Sequence, residues 1–534
     1  MKYFKNKKLN RLKYINRGYF QLKKNNNINF IRKLKSELAD LRIPLIVKSA
    51  RPEIFGNTIN NSELITRQFI LENYTGYKLI REILFSIGNP HSSITYPMPK
   101  EWQEIFIKNG LKINQTKCNY LWNIIIIKKL IESILIFLYY LLFSILEILT
   151  KDKKISNVKF TYFNELSDAN IPENNIDGMS YDILSWYLQW EGRDKEIQVL
   201  GHNIKNVGEI NLKDKIIKRI GKPVQSVSSL TNLLKLILWF SKVFFISLKE
   251  LLFGHWCNVI LLGESIKAKI IELSEPHELA SEYMFHFSAN IYRPMWTYEA
   301  ELKGSRIICY FYSTFEQHKL SNGYVSQRYE LGLASWPICL VWDSYQAELI
   351  KREFEPSVET QIVGPIWFSG SKGELQDFPS LSIAVFDTQA HRKSSHFGFS
   401  TLAEFYAYNS DLDISFLKDI FEVLSEKKIT LVLKRKREIG NRAIKKYKKF
   451  LREISESEFV KVIDPGISAI RIINKCDGII SFPFTSTSLL NQNNKPNIYY
   501  DPTGWIQKDD RAAHGVTIIQ GKAKLKEWVS NNYL

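Results

Sequence analysis

Three hydroxyls in a row, Thr485, Ser486 and Thr487, stand where an apolar run turns polar in Ser481-Phe-Pro-Phe-Thr-Ser-Thr487. The pattern predicts a buried strand over 478–481, a turn over 482–485, and a short helix from 486 that Lys495-Pro496 ends. The first N–H groups of a helix lack partners and sit at the positive end of its dipole. Hydroxyls there can seat a phosphate. The same residues cap helices with no ligand present, and the local sequence leaves both readings open. A second candidate is Lys434-Arg-Lys436-Arg437, which follows a strand predicted over 429–433. Cations at the carboxyl end of a parallel strand face the ligand crevice. With the hydroxyls they would grip a phosphate from two sides. The alternative is a solvated charged face continuing through Lys445, Lys446, Lys448 and Lys449. Asp387, after a strand over 381–386, points toward the same crevice or caps the next helix, with His391 and Arg392 following on the loop.

Two carboxylates in the first half could take a proton. Asp343 ends the apolar run Val341-Trp342-Asp343, and Glu299 closes Tyr292-Arg293-Pro-Met-Trp296-Thr-Tyr298-Glu299. A general base must reach the hydroxyl it deprotonates. Arg293, Trp296 and Tyr298 combine aromatic faces with polar groups, a mixture that suits sugar rings. Tyr310-Phe-Tyr-Ser-Thr314 places hydroxyls at another strand end. The phosphate-binding G-x-x-x-x-G-K-[ST] loop is absent, as are G-x-G-x-x-G and G-x-S-x-G. His and Cys residues do not cluster at metal-ligand spacing, so no metal and no cofactor is expected.

The elements that must position these residues come from 534 residues, 45% hydrophobic and 13% aromatic, enough for two or three domains with large cores. A net charge of +18 points to anionic partners. Residues 1–36 hold no acid and many lysines and arginines, which reads as adhesion to an anionic membrane surface or as a solvated tail. Five isolated cysteines read as buried thiols. With no apolar segment behind the basic N-terminus, a cytoplasmic address is expected.

Residues 40–117 read as mixed α/β, with a strand over 43–47 and a helix over 62–87. The segment 119–149 contains 14 uncharged residues, 133–146, where a span needs about 20. The segment 230–253 carries Lys235, Lys242 and Lys249 seven residues apart, opposite an apolar side. Interface helices, a single span and core helices are all open for these two segments. Strands are predicted over 259–262, 306–312, 338–342 and 360–363, with helices around 275–290 and 344–355. After a linker over 365–380, strands over 381–386, 429–433, 460–463, 478–481 and 497–500 alternate with helices over 413–427, 438–454 and 467–475. Uninterrupted apolar strands alternating with helices predict two doubly wound parallel sheets around a cleft.

Ser481-Phe-Pro-Phe-Thr-Ser-Thr487, followed by Lys495-Pro-Asn-Ile-Tyr-Tyr-Asp-Pro-Thr-Gly504, resembles the PFTS-motif group of bacterial polysaccharide biosynthesis proteins over roughly 256–520. More distantly the second half is similar to GT-B glycosyltransferases that use CMP-activated acidic sugars and to glycerophosphotransferases of teichoic acid assembly. The resemblance implies an α/β, GT-B-like fold. Residues 37–370 would form an acceptor-side domain carrying the apolar helices, and residues 381–534 a donor-binding domain. It implies transfer of a sugar from a nucleotide-activated donor to a glycan or lipid-linked acceptor, without metal. By match, Ser486 and Thr487 would hold the donor phosphate. Lys434–Arg437 stands where those relatives often carry His-Pro, so no histidine role transfers. Asp343 or Glu299 would be the base. Polyol-phosphate transfer and a non-catalytic membrane scaffold remain as alternatives. Nucleic acid is not an expected partner, since the aromatics follow no RNA-binding pattern.

Overall fold

The computed structural model describes residues 2–25, 30–150, 158–166, 170–171, 183–205, 207–212, 214–287, 291–314, 331–354, 357–366, 375, 377–378, 381–388, 410–435, 443–465, 467–483, 485–491, 493–504, 511 and 513–533. Helices come first: α1 (Lys2–Lys24), α2 (Phe30–Asp40), α3 (Pro44–Ser49), α4 (Pro52–Phe55), α5 (Ser62–Tyr74), α6 (Tyr77–Gly88), α7 (Lys100–Lys108) and α8 (Gln115–Thr150). The basic N-terminal segment is not a loose tail. α1 buries Ile15 and Tyr19 and crosses α6 closely. A Cβ on Gly18 would lie 2.0 Å from the Leu84 carbonyl oxygen, and one on Gly88 would lie 1.9 Å from that of Tyr14. Only glycine fits either position.

The strand expected over 43–47 is instead α3. Pro44 occupies its first turn, where the fixed φ favours a helix and the missing N–H costs nothing. The helix expected over 62–87 is two, α5 and α6, broken at Thr75-Gly76.

The first sheet is assembled from β1 (Phe160–Phe163), α9 (Ile183–Gln189), β2 (Val199–His202), β3 (Ile210–Leu212), β4 (Lys215–Arg219), α10 (Leu230–Leu252), α11 (Cys257–Ile260), α12 (Leu262–Leu273), β5 (Glu282–Phe287), α13 (Met295–Leu302), β6 (Arg306–Phe311), β7 (Ile338–Val341), α14 (Ser344–Glu353) and β8 (Glu359–Ile362). Its order is β3-β4-β2-β1-β5-β6-β7-β8, parallel except for the β3–β4 pair. Two of the expected elements differ in this sheet. Residues 259–262 are helical, because a four-residue apolar run carries no period of its own. The helix expected around 275–290 gives way to β5, which pairs with β1. Glu282 disguised this strand: it is fully buried, with Arg306 and the Tyr187 hydroxyl as its partners.

The second sheet follows as β9 (Ser382–Phe386), α15 (Ser410–Glu426), β10 (Thr430–Lys434), α16 (Lys445–Ser455), β11 (Val460–Ile463), α17 (Ala469–Lys475), β12 (Gly478–Ser481), β13 (Asn497–Asp501), β14 (Thr517–Gln520) and α18 (Lys522–Tyr533). Its order is β11-β10-β9-β12-β13-β14, all parallel. The chain builds outward from β9 in one direction and then in the other, as in a dinucleotide-binding fold. β14 and α18 went unforeseen in the sequence. Most of the basic helix expected over 438–454 is α16; residues 438–442 lie outside the described residues. All five cysteines are buried free thiols.

The architecture is α/β and GT-B-like: two Rossmann-like domains, with apolar helices in the N-terminal half. Trp342, at the end of β7, joins them. It is buried in an apolar cluster with Ala384, Phe386 and Leu490 of the second domain, and its indole N–H donates to the Phe311 carbonyl at 2.7 Å.

Candidate functional site

Strand order in the second sheet reverses between β9 and β12, and ligands of such sheets sit at the carboxyl ends there. The Phe482 N–H donates to the Phe386 carbonyl (2.9 Å), so Asp387 and the loop after β12 are neighbours. Asp387 is buried. The Tyr447 hydroxyl on α16 donates to its Oδ2, while its Oδ1 has no hydrogen-bond partner among the described residues. Burial pushes this carboxyl up to about 7, against the pull of Tyr447, Arg435 and Lys434. Beside it the fully buried Asp413 accepts the Thr388 hydroxyl at 2.5 Å, and burial holds it well above the carboxylate range. Lys434 donates to the Pro465 carbonyl (3.2 Å), and burial lowers its pKa. Arg435 Nε is buried without a hydrogen-bond partner among the described residues. These two cations are therefore not a merely solvated face. Lys436, Arg437, His391 and Arg392 lie outside the described residues.

The loop after β12 differs from the expected helix end. Ser486–Leu490 is a single 3-10 turn, too short to sum a useful dipole. Thr485 Oγ1 donates back to the Phe482 carbonyl (2.6 Å), and the Tyr499 hydroxyl donates to the Thr485 carbonyl (3.0 Å). Ser486 Oγ accepts the Thr314 N–H (3.0 Å) and hydrogen-bonds to Thr314 Oγ1 (2.9 Å), clipping this loop to the first domain. Thr487 is half-buried. Lys495 donates to the carbonyls of Ile473, Asn474 and Cys476 and so caps the carboxyl end of α17.

Asp343 sits in a crevice of about 520 Å³ between the domains. Trp342, Tyr345 and Pro365 line it from the first domain; Ser488, Asn491, Lys495 and His514 line it from the second. Asp343 caps α14 by accepting the Gln346 N–H (2.8 Å). Its two oxygens lie 2.7 and 3.0 Å from His514 Nδ1. His514 adopts a left-handed φ of 54°, followed by Gly515 at 78°. This tight reversal turns the ring toward Asp343, with Tyr345 against its edge. Sequence reasoning missed His514. Its partner is 171 positions away, and the only local signal was a His-Gly pair before a short strand.

The acceptor candidates lie elsewhere. Trp296 is 3% exposed and packs on Tyr283 and Phe285 in the first core, so it presents no face to a sugar. Arg293 is buried, paired with Glu301 and stacked on the Tyr298 ring, its carbon 3.8 Å from the ring centre. The Tyr298 hydroxyl bonds Ser335 Oγ (2.9 Å). Glu299 is buried and accepts from Asn57 (3.0 Å) in the helical layer, so it and Asp343 belong to different neighbourhoods. Burial raises its pKa. Among the described residues no three His, Cys, Asp or Glu side chains converge on a metal position.

Residues 242–529 match the family described as polysaccharide biosynthesis PFTS motif proteins. The chain belongs to that family. The match takes in Asp343, Asp387, Lys434, His514 and the PFTS loop itself. No curated protein matches the chain. Among solved structures, a UDP-GlcNAc 2-epimerase of Methanocaldococcus jannaschii is 10% identical, with 70% of this chain and 92% of that chain covered and a TM-score of 0.31. The wall teichoic acid polymerase TagF is 12% identical, with 75% and 88% covered and a TM-score of 0.35. The Escherichia coli heptosyltransferase WaaC is 9% identical, with 70% and 100% covered and a TM-score of 0.28. Likenesses this weak carry no argument about the chemistry of the PFTS protein.

Proposed function

We propose that this PFTS protein is a glycosyltransferase of bacterial surface polysaccharide synthesis. It moves a sugar from a nucleotide-activated donor to a glycan or lipid-linked acceptor at the cytoplasmic face of a membrane. The observation that carries this reading is the Asp343–His514 pair, held between the two Rossmann-like domains in a crevice walled by the turn that follows the PFTS loop.

A carboxylate on Nδ1 fixes an imidazole's tautomer and supports the charge it takes on in proton transfer. The pair would remove the proton of the acceptor hydroxyl as that oxygen attacks the sugar carbon. The departing phosphate gains charge in the same step, and preorganised donors that meet such charge are the main electrostatic aid. Lys434, Arg435, Ser486 and Thr487 are our choice for that task, with Asp387 orienting the two cations. The nucleotide donor is a substrate in this reading, and no cofactor takes part.

The test is a donor screen on the purified full chain, reading nucleotide release and acceptor mass. The expected result is sugar transfer that His514→Ala and Asp343→Asn each lower at least a hundredfold while nucleotide binding persists. Transfer of a polyol phosphate instead would reassign the donor. Both variants retaining full activity would end the acid–base assignment.

A further inference from the structure

The exposed apolar surface of the described residues is concentrated on two helices. Along α8, Ile124, Ile127, Ile131, Leu135, Leu138 and Leu142 are exposed three and four residues apart, one continuous stripe. Leu234, Leu238 and Phe245 are exposed on α10. Both helices rest on α12, and Phe137 and Phe240 stack between them with ring centres 3.8 Å apart. The two stripes therefore lie side by side on one outer face. A patch of this size on a folded chain marks a surface that something covers.

The other side of each helix is fastened down. Cys118, Trp122, Ile126, Phe137, Tyr140 and Ser144 of α8 are buried, a seam about 39 Å long at the helical rise. The Tyr140 hydroxyl donates to the Val224 carbonyl (3.4 Å), and the Val227 N–H donates to Ser144 Oγ (3.0 Å). On α10, Asn232 donates to the Leu273 carbonyl (2.8 Å) and Trp239 Nε1 donates to the Glu53 carbonyl (3.0 Å). A helix attached along its whole length cannot cross a bilayer without dragging the α/β domain into hydrocarbon.

Charge selects the occupant. Lys235 and Lys249 are exposed along α10 and Lys117 along α8, while the exposed Lys242 and Lys128 pair with Glu53 and Glu132. In a chain of net charge +18, a second copy on this face would bring lysines against lysines. Anionic headgroups would neutralise them.

We propose that the α8–α10 face lies flat in an anionic lipid surface, its apolar stripes inserted among the acyl chains and its lysines at the headgroups. This deepens the membrane location given above and rests on no part of the catalytic assignment.

The experiment is flotation of the full chain with vesicles of phosphatidylcholine alone or with a third phosphatidylglycerol. Recovery in the floating fraction should be at least tenfold higher with the anionic vesicles, fall in 0.5 M salt, and be lost to alkaline carbonate. Leu135→Glu with Leu238→Glu should lower it at least tenfold with the melting temperature unchanged. Lys235→Glu with Lys249→Glu should do the same for the anionic preference alone. Failure to float with either vesicle overturns the proposal, as does equal flotation of the leucine variant. A stable dimer in light scattering that the leucine variant dissociates, without flotation, gives the face to a second copy and also overturns it. Resistance to carbonate overturns the in-plane arrangement. Nucleotide-induced thermal shifts, read in parallel, report on the catalytic site independently.

Discussion

The two sheets share a strand logic and part company where it reverses. In the first domain that place lies between β1 and β5. It carries Glu165, in a left-handed turn at φ 61°, and His286 against the rings of Tyr310 and Tyr312. Burial pushes His286 down to about 4 and raises Glu165, so both favour their neutral forms. In the second domain the corresponding place holds Asp387 with Lys434 and Arg435. One end of the molecule offers uncharged rings and hydroxyls, the other a buried charge cluster. A neutral, hydroxylated ligand suits the first and an anionic one the second.

The contrast can be broken by pH, because the two places have opposite signs. Asp387 has a folded value raised above its unfolded one, so its contribution is fully present below about pH 4 and is lost as pH rises through about 7. The full swing is roughly 4 kcal/mol. Asp387→Asn should flatten that fall in urea titrations at pH 4, 5.5 and 7.5. Asp413 lies beside this carboxyl with its own value raised by burial, so an unchanged slope in the variant would assign the titration to Asp413 instead. His286 runs the other way. Its folded value is depressed, so its contribution is present above about 6.5 and is lost as pH falls through about 4, with a swing of roughly 3 kcal/mol. His286→Phe should remove the loss on acidification; a persisting loss would mean that burial of this ring is not its source.

Ligands should sharpen the same contrast at smaller cost. Lys434→Ala with Arg435→Ala should weaken nucleotide binding about 30-fold, or about 2 kcal/mol, by calorimetry. Tyr312→Ala should leave that affinity unchanged and raise the acceptor KM instead. Equal effects of both changes on nucleotide would erase the division of labour. Ser486→Ala removes the hydrogen bonds to Thr314 and should cost about 1 kcal/mol of stability, seen as a lower melting temperature.

Most of the second domain was legible in the sequence because its central strands are buried and read as nearly unbroken apolar runs, such as Ile383–Phe386 between Ser382 and Asp387; the half-exposed β14 was not. The first was less so. Pro44 turned an apolar run into a helix start, and Glu282 and His286 hid a central strand behind polar side chains, the Glu282 charge being met by the distant Arg306. At the candidate site, the positions of Asp343 and Asp387 just past strand ends could be read from the sequence, because a polar residue closing an apolar run marks such an end. The Asp343–His514 contact could not, since it depends on how two domains meet. Trp296 misled for a related reason: aromatic residues at ligand-like spacing are far more often core.

Trp342 also bears on how far the chain can be treated as modular. The residue is encoded with the first domain, yet the second domain supplies the oily pocket that keeps its indole dry. A cut after β8 would leave one fragment with a bare tryptophan and the other with an empty slot. Exchanging second domains among family members should then yield soluble hybrids only where the incoming half brings a slot that accepts this indole. Its fluorescence maximum offers a one-tube assay for whether it does.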